Sequence, residues 1–190
     1  MLTNEEIKRY SRHILLSELG IEGQTKLKEA KVLVIGAGGL GCPALQYLTA
    51  AGIGTIGIVE FDKVEESNLQ RQILYTLNDV GKLKVECAIQ KLSQQNLFVK
   101  FIPHAVYLTN KNALDIIKNY DVIIDGTDNF ATSYLLSDAC VILNKPLVYG
   151  SISRFEEQVS VFNFLEKSGK RGPTYRCLFP EPPSPESAPN

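Results

Sequence analysis

Gly36, Gly38 and Gly41 fit G-x-G-x-x-G inside the run VLVIGAGGLGCPAL (Val32–Leu45), where an apolar stretch opens into glycines and then a helix-like segment. Glycines at this spacing permit a tight turn, let phosphates approach the backbone, and let the next helix pack on the preceding strand. The start of that helix then faces the phosphates with about half a positive charge. Gly39 lies inside the same turn, and Glu60, closing the next apolar run, stands where an acid binds ribose hydroxyls. NAD, FAD and ATP are served equally by these features, and a glycine turn that merely packs has the same letters.

The residues that follow favour one nucleotide. Beyond Glu60 lies a stretch of about twenty residues, FDKVEESNLQRQILYTLNDVG, where strand–helix loops usually take ~2–6. It is too apolar at Ile73, Leu74 and Tyr75 to be disordered. Its SNLQRQ (Ser67, Asn68, Leu69, Gln70, Arg71, Gln72) puts Asn68 and Arg71 just past the ribose position, and GKLKVE adds Lys82 and Lys84 at a helix start. Fixed cations suit a triphosphate's oxygens better than a nicotinamide ring, which needs an apolar pocket. Downstream, DGTDN (Asp125–Asn129) ends a strand; a carboxylate such as Asp128 there can hold Mg²⁺ beside phosphates and water. Taken singly, Arg71 and Lys84 also read as solvated surface charges and Asp128 as a helix N-cap. Together with the glycine loop they favour ATP.

These groups need a scaffold that brings loops to one edge. Thr3 and Glu6 form a capping box, and Ile7, Tyr10 and Ile14 follow at helical spacing, so a first helix is expected over Asn4–Ser17. Strands are expected at Lys31–Ile35, Thr55–Glu60, Val99–Pro103, Val122–Asp125, Leu147–Ser151 and Val159–Phe164. Helices are expected at Leu40–Ala51, Lys82–Gln95, Asn110–Asn119 and Ala131–Leu143. Buried runs alternating with helices call for an α/β, Rossmann-like, doubly wound and mostly parallel sheet. The division expected is an N-terminal helical segment (1–30), a nucleotide-binding domain (31–165) and a proline-rich linker (166–190), since six of the nine prolines fall within Pro173–Asn190. Ending on PEPPSPESAPN, the chain reads as the N-terminal part of a longer protein.

Composition narrows the classes. The formal net charge of −1 gives no bias toward nucleic acid or an anionic membrane, and no apolar run is long enough for a span. The polar N-terminus lacks a secretory signal, and four scattered cysteines suit a reducing compartment, so the cytoplasm is expected. Cys42 sits at a helix start, where a thiol pKa can fall, but it, Cys87 and Cys140 read as core. His13 and His104 read as structural or surface, Phe155 and Phe162 as packing, and Glu166–Gly172 as a solvated turn.

The glycine loop, SNLQRQ, GKLKVE and DGTDN, in this order and spacing, resemble the ubiquitin-activating-like (ThiF/MoeB/HesA-type) adenylyltransferase family, whose members activate the sulfur carriers of molybdopterin and thiamine biosynthesis. RYSRHILL (Arg9–Leu16) and YRCL (Tyr175–Leu178) are similar to further signatures of the family. The likeness runs from about Glu5 to Leu178. It implies that ATP adenylates the C-terminal carboxylate of a small ubiquitin-like carrier ending in Gly-Gly. It also implies that Gly39 and Glu60 hold the nucleotide, Asn68, Arg71 and Lys84 grip phosphates, Asp128 binds Mg²⁺, and Asn129 neighbours the nucleotide. Arg12 would reach the phosphates from the partner in a homodimer.

Two departures stand out. The family usually has Asp at the Glu60 position. Zinc-bearing members carry C-x-x-C where this chain has Thr174 and Cys177, and the second cysteine pair is absent, so four-ligand zinc is not expected. A nicotinamide oxidoreductase is disfavoured by Arg71 and Lys84, and a binding-only subunit by Arg71, Lys84 and Asp128 together.

Overall fold

The computed structural model describes residues 1–153 and 155–182. Along the chain run α1 (Asn4–Arg9), α2 (Ser11–Ile14), α3 (Gly20–Glu29), β1 (Lys31–Ile35), α4 (Gly41–Ala51) and β2 (Thr55–Val59). Then come α5 (Lys84–Gln95), β3 (Lys100–His104), α6 (Ala113–Ile117), β4 (Val122–Asp125), α7 (Phe130–Ile142), β5 (Leu147–Ser153), β6 (Glu156–Phe162) and α8 (Tyr175–Leu178).

Val32–Ile35 is buried along its whole length, so β1 belongs in the interior of a sheet covered on both faces. The strand order is β3-β2-β1-β4-β5-β6, which is the expected α/β doubly wound, mostly parallel architecture. Each face carries its own core. Val34, Leu45, Ile58, Val85 and Leu92 lie in one, and Leu33, Ile117, Ile123, Leu136 and Tyr175 in the other. The chain reverses its winding between β1 and β4, and loops at the carboxyl ends of such a pair form the ligand crevice of open α/β sheets.

Three expectations are corrected. The single helix over Asn4–Ser17 is broken at Tyr10 into α1 and α2, and α3 follows unforeseen. Gly20 and Gly23 lower helix propensity, and within α3 only Gln24 is buried, so no apolar period marks it in the sequence. Tertiary bonds hold it instead: Gln24 Nε2 donates to the Ala51 carbonyl at 2.9 Å and Lys28 pairs with Glu6 at 2.7 Å. The last strand begins at Glu156 and runs antiparallel to β5, because the chain between them is far too short for a crossover. Phe162 is buried, but Phe155 at the hairpin is fully exposed and packs nothing.

The expected linker, in its described part, includes α8. Tyr175 is buried there against Tyr134, Tyr149, Phe162 and Phe179, with ring centroids 4.8–5.7 Å apart. The prolines from Pro183 onward lie outside the described residues. No helix among the described residues is long and apolar enough to cross a membrane.

Candidate nucleotide site

The site grows from the carboxyl ends of β1, β2 and β4. Register pairs Ile35 with Val59 on one side and with Asp125 on the other, so Gly36, Glu60 and Gly126 leave the sheet at one level. Gly36 turns with φ +86°, and a Cβ on Gly41 would meet the Gly36 carbonyl oxygen at 2.0 Å. The turn therefore needs hydrogen at both positions. It delivers the chain into α4 with the N–H groups of Gly38, Gly39 and Leu40 lacking hydrogen-bond partners among the described residues. Successive free N–H groups at a helix start form an anion cradle.

The long segment after β2 folds back over this turn. A short antiparallel contact closes its base: Lys84 N–H donates to the Asp62 carbonyl and Val64 N–H to that of Lys82, both at 2.9 Å. Its middle then lies along the glycine loop residue by residue. Tyr75 donates its hydroxyl to the Ala37 carbonyl at 2.8 Å, and Gln72 Nε2 and Arg71 Cδ lie 3.6 and 3.7 Å from the points where Cβ atoms on Gly38 and Gly39 would sit. Glu60, mostly buried, accepts from Ala37 N–H at 3.0 Å and from Phe61 and Asp62 N–H at 2.9 Å. Both polar groups of Ala37 are thus held by side chains from outside the turn. Glu60 fastens the loop, and the methylene it has beyond an aspartate reaches back to it.

Arg71 is exposed beside Gly39. Lys84 is not the solvated charge that its letter allows. At 5 % exposure it is buried at the first residue of α5, and its ammonium has one ion-pair partner among the described residues, half-exposed Asp62 at 3.4 Å. A buried ammonium at the positive end of a helix, with one long contact, is under-compensated, and an anion arriving there relieves it.

DGTDN closes the third side. Gly126 packs against Gly36 and Gly41, and Asp125, buried at the end of β4, accepts from Thr127 N–H at 3.0 Å, Thr127 Oγ1 at 2.7 Å and Ser133 Oγ at 2.6 Å. Burial pushes its carboxyl above the usual range, and these bonds oppose the shift. The loop is fixed by Asp125, which leaves Asp128 exposed at its tip. The N-cap of α7 is Asn129, whose side chain accepts from Thr132 N–H at 3.1 Å, so capping does not occupy Asp128.

Other expected site residues are placed less centrally. Leu69 packs partly buried against the core, Ser67 and Gln70 are exposed, and Asn68 Nδ2 lies 3.4 Å from Ser67 Oγ. Arg12 is exposed on α2, with no bond to the three loops among the described residues. Cys42 donates to the Ala37 carbonyl at 3.2 Å, and burial pushes its thiol up, against the lowering that a helix start can give. Tyr75, Asp125 and Gln72 hold the arrangement together, though the sequence marks Tyr75 only as apolar and Asp125 and Gln72 only as members of DGTDN and SNLQRQ.

A glycine turn whose N–H groups are open among the described residues, lined by Arg71 and Gln72 and closed by the loop after β4, lies at the switch point of a doubly wound sheet, the arrangement of a Rossmann-like α/β domain. The family model described as "ThiF family" matches residues 10–190, and the chain belongs to that family. It is 52% identical over 188 residues to the sulfur carrier protein adenylyltransferase of Thermus thermophilus, covering 99% of this chain and 69% of that protein. It is 53% identical over 189 residues to the adenylyltransferase and sulfurtransferase MOCS3 of Aedes aegypti, covering all of this chain and 42% of that protein. The crystal structure of E. coli MccB with ATP superposes with a TM-score of 0.69 at 30% identity, covering 78% of this chain and 46% of that one.

Proposed function

We propose that this chain binds ATP and adenylates the C-terminal carboxylate of a small ubiquitin-like sulfur carrier with a Gly-Gly end. The observation that carries this is the run of N–H groups at Gly38–Leu40 without partners among the described residues, with exposed Arg71 beside Gly39; buried, under-compensated Lys84 at the start of α5 supports it. The names of its curated relatives support the same chemistry. A carrier carboxylate oxygen bonds to the α-phosphorus, the bond to the bridging oxygen breaks, and pyrophosphate leaves with the electron pair, giving an acyl-adenylate. Charge on the phosphate oxygens rises during this step, and fixed donors placed beforehand lower its barrier.

Glu60 and the glycine loop would hold the nucleoside, Asn68, Arg71 and Lys84 the phosphates, and Asn129 would border the nucleotide. An exposed, uncapped Asp128 suits Mg²⁺, which needs only one or two protein carboxylates when phosphates and water fill its shell; such an ion would neutralise phosphate charge. Among the described residues no group of three or more His, Cys, Asp or Glu is assembled as a metal site, and Thr174 and Cys177 give no basis for zinc.

We further propose a homodimer in which Arg12 serves the partner's phosphates. Its segment is well anchored: Tyr10 accepts from Asn96 Nδ2 at 2.8 Å, and His13 Nδ1 lies 3.0 Å from Gln24 Oε1. An Arg12→Ala chain mixed with an Arg71→Ala chain should regain activity in about a quarter of the sites, because a two-fold heterodimer has one intact site. No recovery after proven subunit exchange excludes the trans role.

The central test is carrier-dependent ATP–pyrophosphate exchange, run with each candidate sulfur carrier. Exchange that needs both the carrier and its terminal Gly-Gly is expected. Tight NAD binding with none for ATP overturns the proposal.

A further inference from the structure

Gln72 is buried at 4 % exposure, yet its Oε1 is sealed from solvent and meets no hydrogen-bond donor among the described residues. Its Nε2 lies against the glycine loop, 3.6 Å from the point a Cβ on Gly38 would occupy. Buried polar atoms are nearly always paired, so an exception calls for a reason. A hydrocarbon side chain of the same length would fill the space without the penalty of a desolvated acceptor. What stands against that penalty is the other end of the amide, a donor facing the loop whose own N–H groups are open.

We propose that Gln72 is a nucleotide-positioning residue whose amide N–H donates to a phosphate oxygen of a nucleotide lying on Gly38 and Gly39. Phosphate offers only acceptors, so it matches Nε2. The unpaired Oε1 is the structural cost of aiming that donor. This rests on the site being one for a nucleoside triphosphate, and the experiment separates the two ideas.

Wild-type, Gln72→Met and Gln72→Glu proteins are compared by thermal unfolding without ligand and by calorimetric titration with Mg·ATP and with adenosine. Gln72→Met removes the orphan oxygen, so the empty protein should unfold about 2–4 °C higher. Its ATP affinity should fall roughly tenfold or more, because a bond to a charged acceptor is lost. Gln72→Glu keeps the shape but aims negative charge at phosphate, and should bind ATP more weakly still. Adenosine, which has no phosphate, should bind all three proteins alike. Opposite signs for empty-state stability and ATP affinity are the signature, since a purely structural glutamine would lose stability on substitution. A lower unfolding temperature for Gln72→Met, or unchanged ATP affinity, overturns the proposal; Gln72→Leu repeats the test if Gln72→Met does not fold. Wild-type protein that binds no ATP refutes the nucleotide site itself.

Discussion

The glycine-loop edge and the aromatic cap around α8 handle polar groups in opposite ways. In the cap, Tyr134 donates between the carbonyls of Phe179 and Glu181 at 2.9 and 2.8 Å, and Asn163 Nδ2 serves those of Cys140 and Lys145, both at 2.9 Å. Arg176 forks onto Asp138 at 2.7 and 2.8 Å and lies over the Tyr134 ring. At the glycine loop the N–H groups of Gly38, Gly39 and Leu40 and the Gln72 oxygen have no partner among the described residues, and Lys84 at the start of α5 has one ion pair there, at 3.4 Å. Satisfied polar groups around packed rings stabilise a fold. Unsatisfied ones held rigidly by neighbours are what a ligand can complete, at a cost in stability to the empty protein.

Substitution in the cap should therefore cost stability, and substitution at the loop should cost function. Tyr175→Ala deletes a buried ring in contact with four others and should destabilise by about 3–5 kcal/mol. Folded protein should keep its ATP affinity, so urea denaturation and calorimetry on the same sample divide the two effects. An equal loss of ATP affinity would erase the contrast.

Arg71→Ala should slow adenylation ~10²–10³-fold, about 3–4 kcal/mol in the barrier, with its melting temperature close to wild type because Arg71 is exposed. Asp128→Ala should behave similarly and recover partly at high Mg²⁺. Near wild-type exchange rates in both variants move the chemistry elsewhere.

Tyr75 belongs to both behaviours, being a buried ring whose hydroxyl fastens the Ala37 carbonyl. Tyr75→Phe should cost about 0.5–1.5 kcal/mol of stability and weaken ATP by a few-fold. Stability lost with ATP affinity intact assigns Tyr75 to packing alone.

The smallest effect lies away from both regions. Burial lowers the pKa of His104, beside the Tyr120 hydroxyl at 2.8 Å, below its ordinary 6.5. The fold thus favours the neutral ring. Its contribution is complete above pH 6.5, declines as pH falls through that value toward the folded-state one, and then levels off. Glu6 and Asp79 are shifted below the ordinary carboxylate range by Lys28 and Lys91 in opposition to burial, and act at lower pH. Urea midpoints between pH 7.5 and 5.5 should drop slightly for wild type and stay flatter for His104→Gln.

Much of this molecule follows from local pattern. β1 and β4 coincide with their expected bounds, and the glycine spacing gives the expected tight turn from strand into helix, because both rest on interactions within a few residues. Chemical type was equally legible: Arg71 and Lys84 are cations and Asp128 a carboxylate in any fold. Distance and solvation were not. That Lys84 is buried, that Glu60 turns back to Ala37, that Asn129 rather than Asp128 caps α7, and that Gln72 faces Gly38 all depend on how segments from different strands meet. The same holds for α3, whose sequence shows no apolar period and whose helix is held by Gln24 and Lys28 reaching other elements. Burial and hydrogen-bond partners are properties of neighbours distant in the chain, so only the tertiary structure could decide which charges are solvated and which polar groups remain open for a ligand.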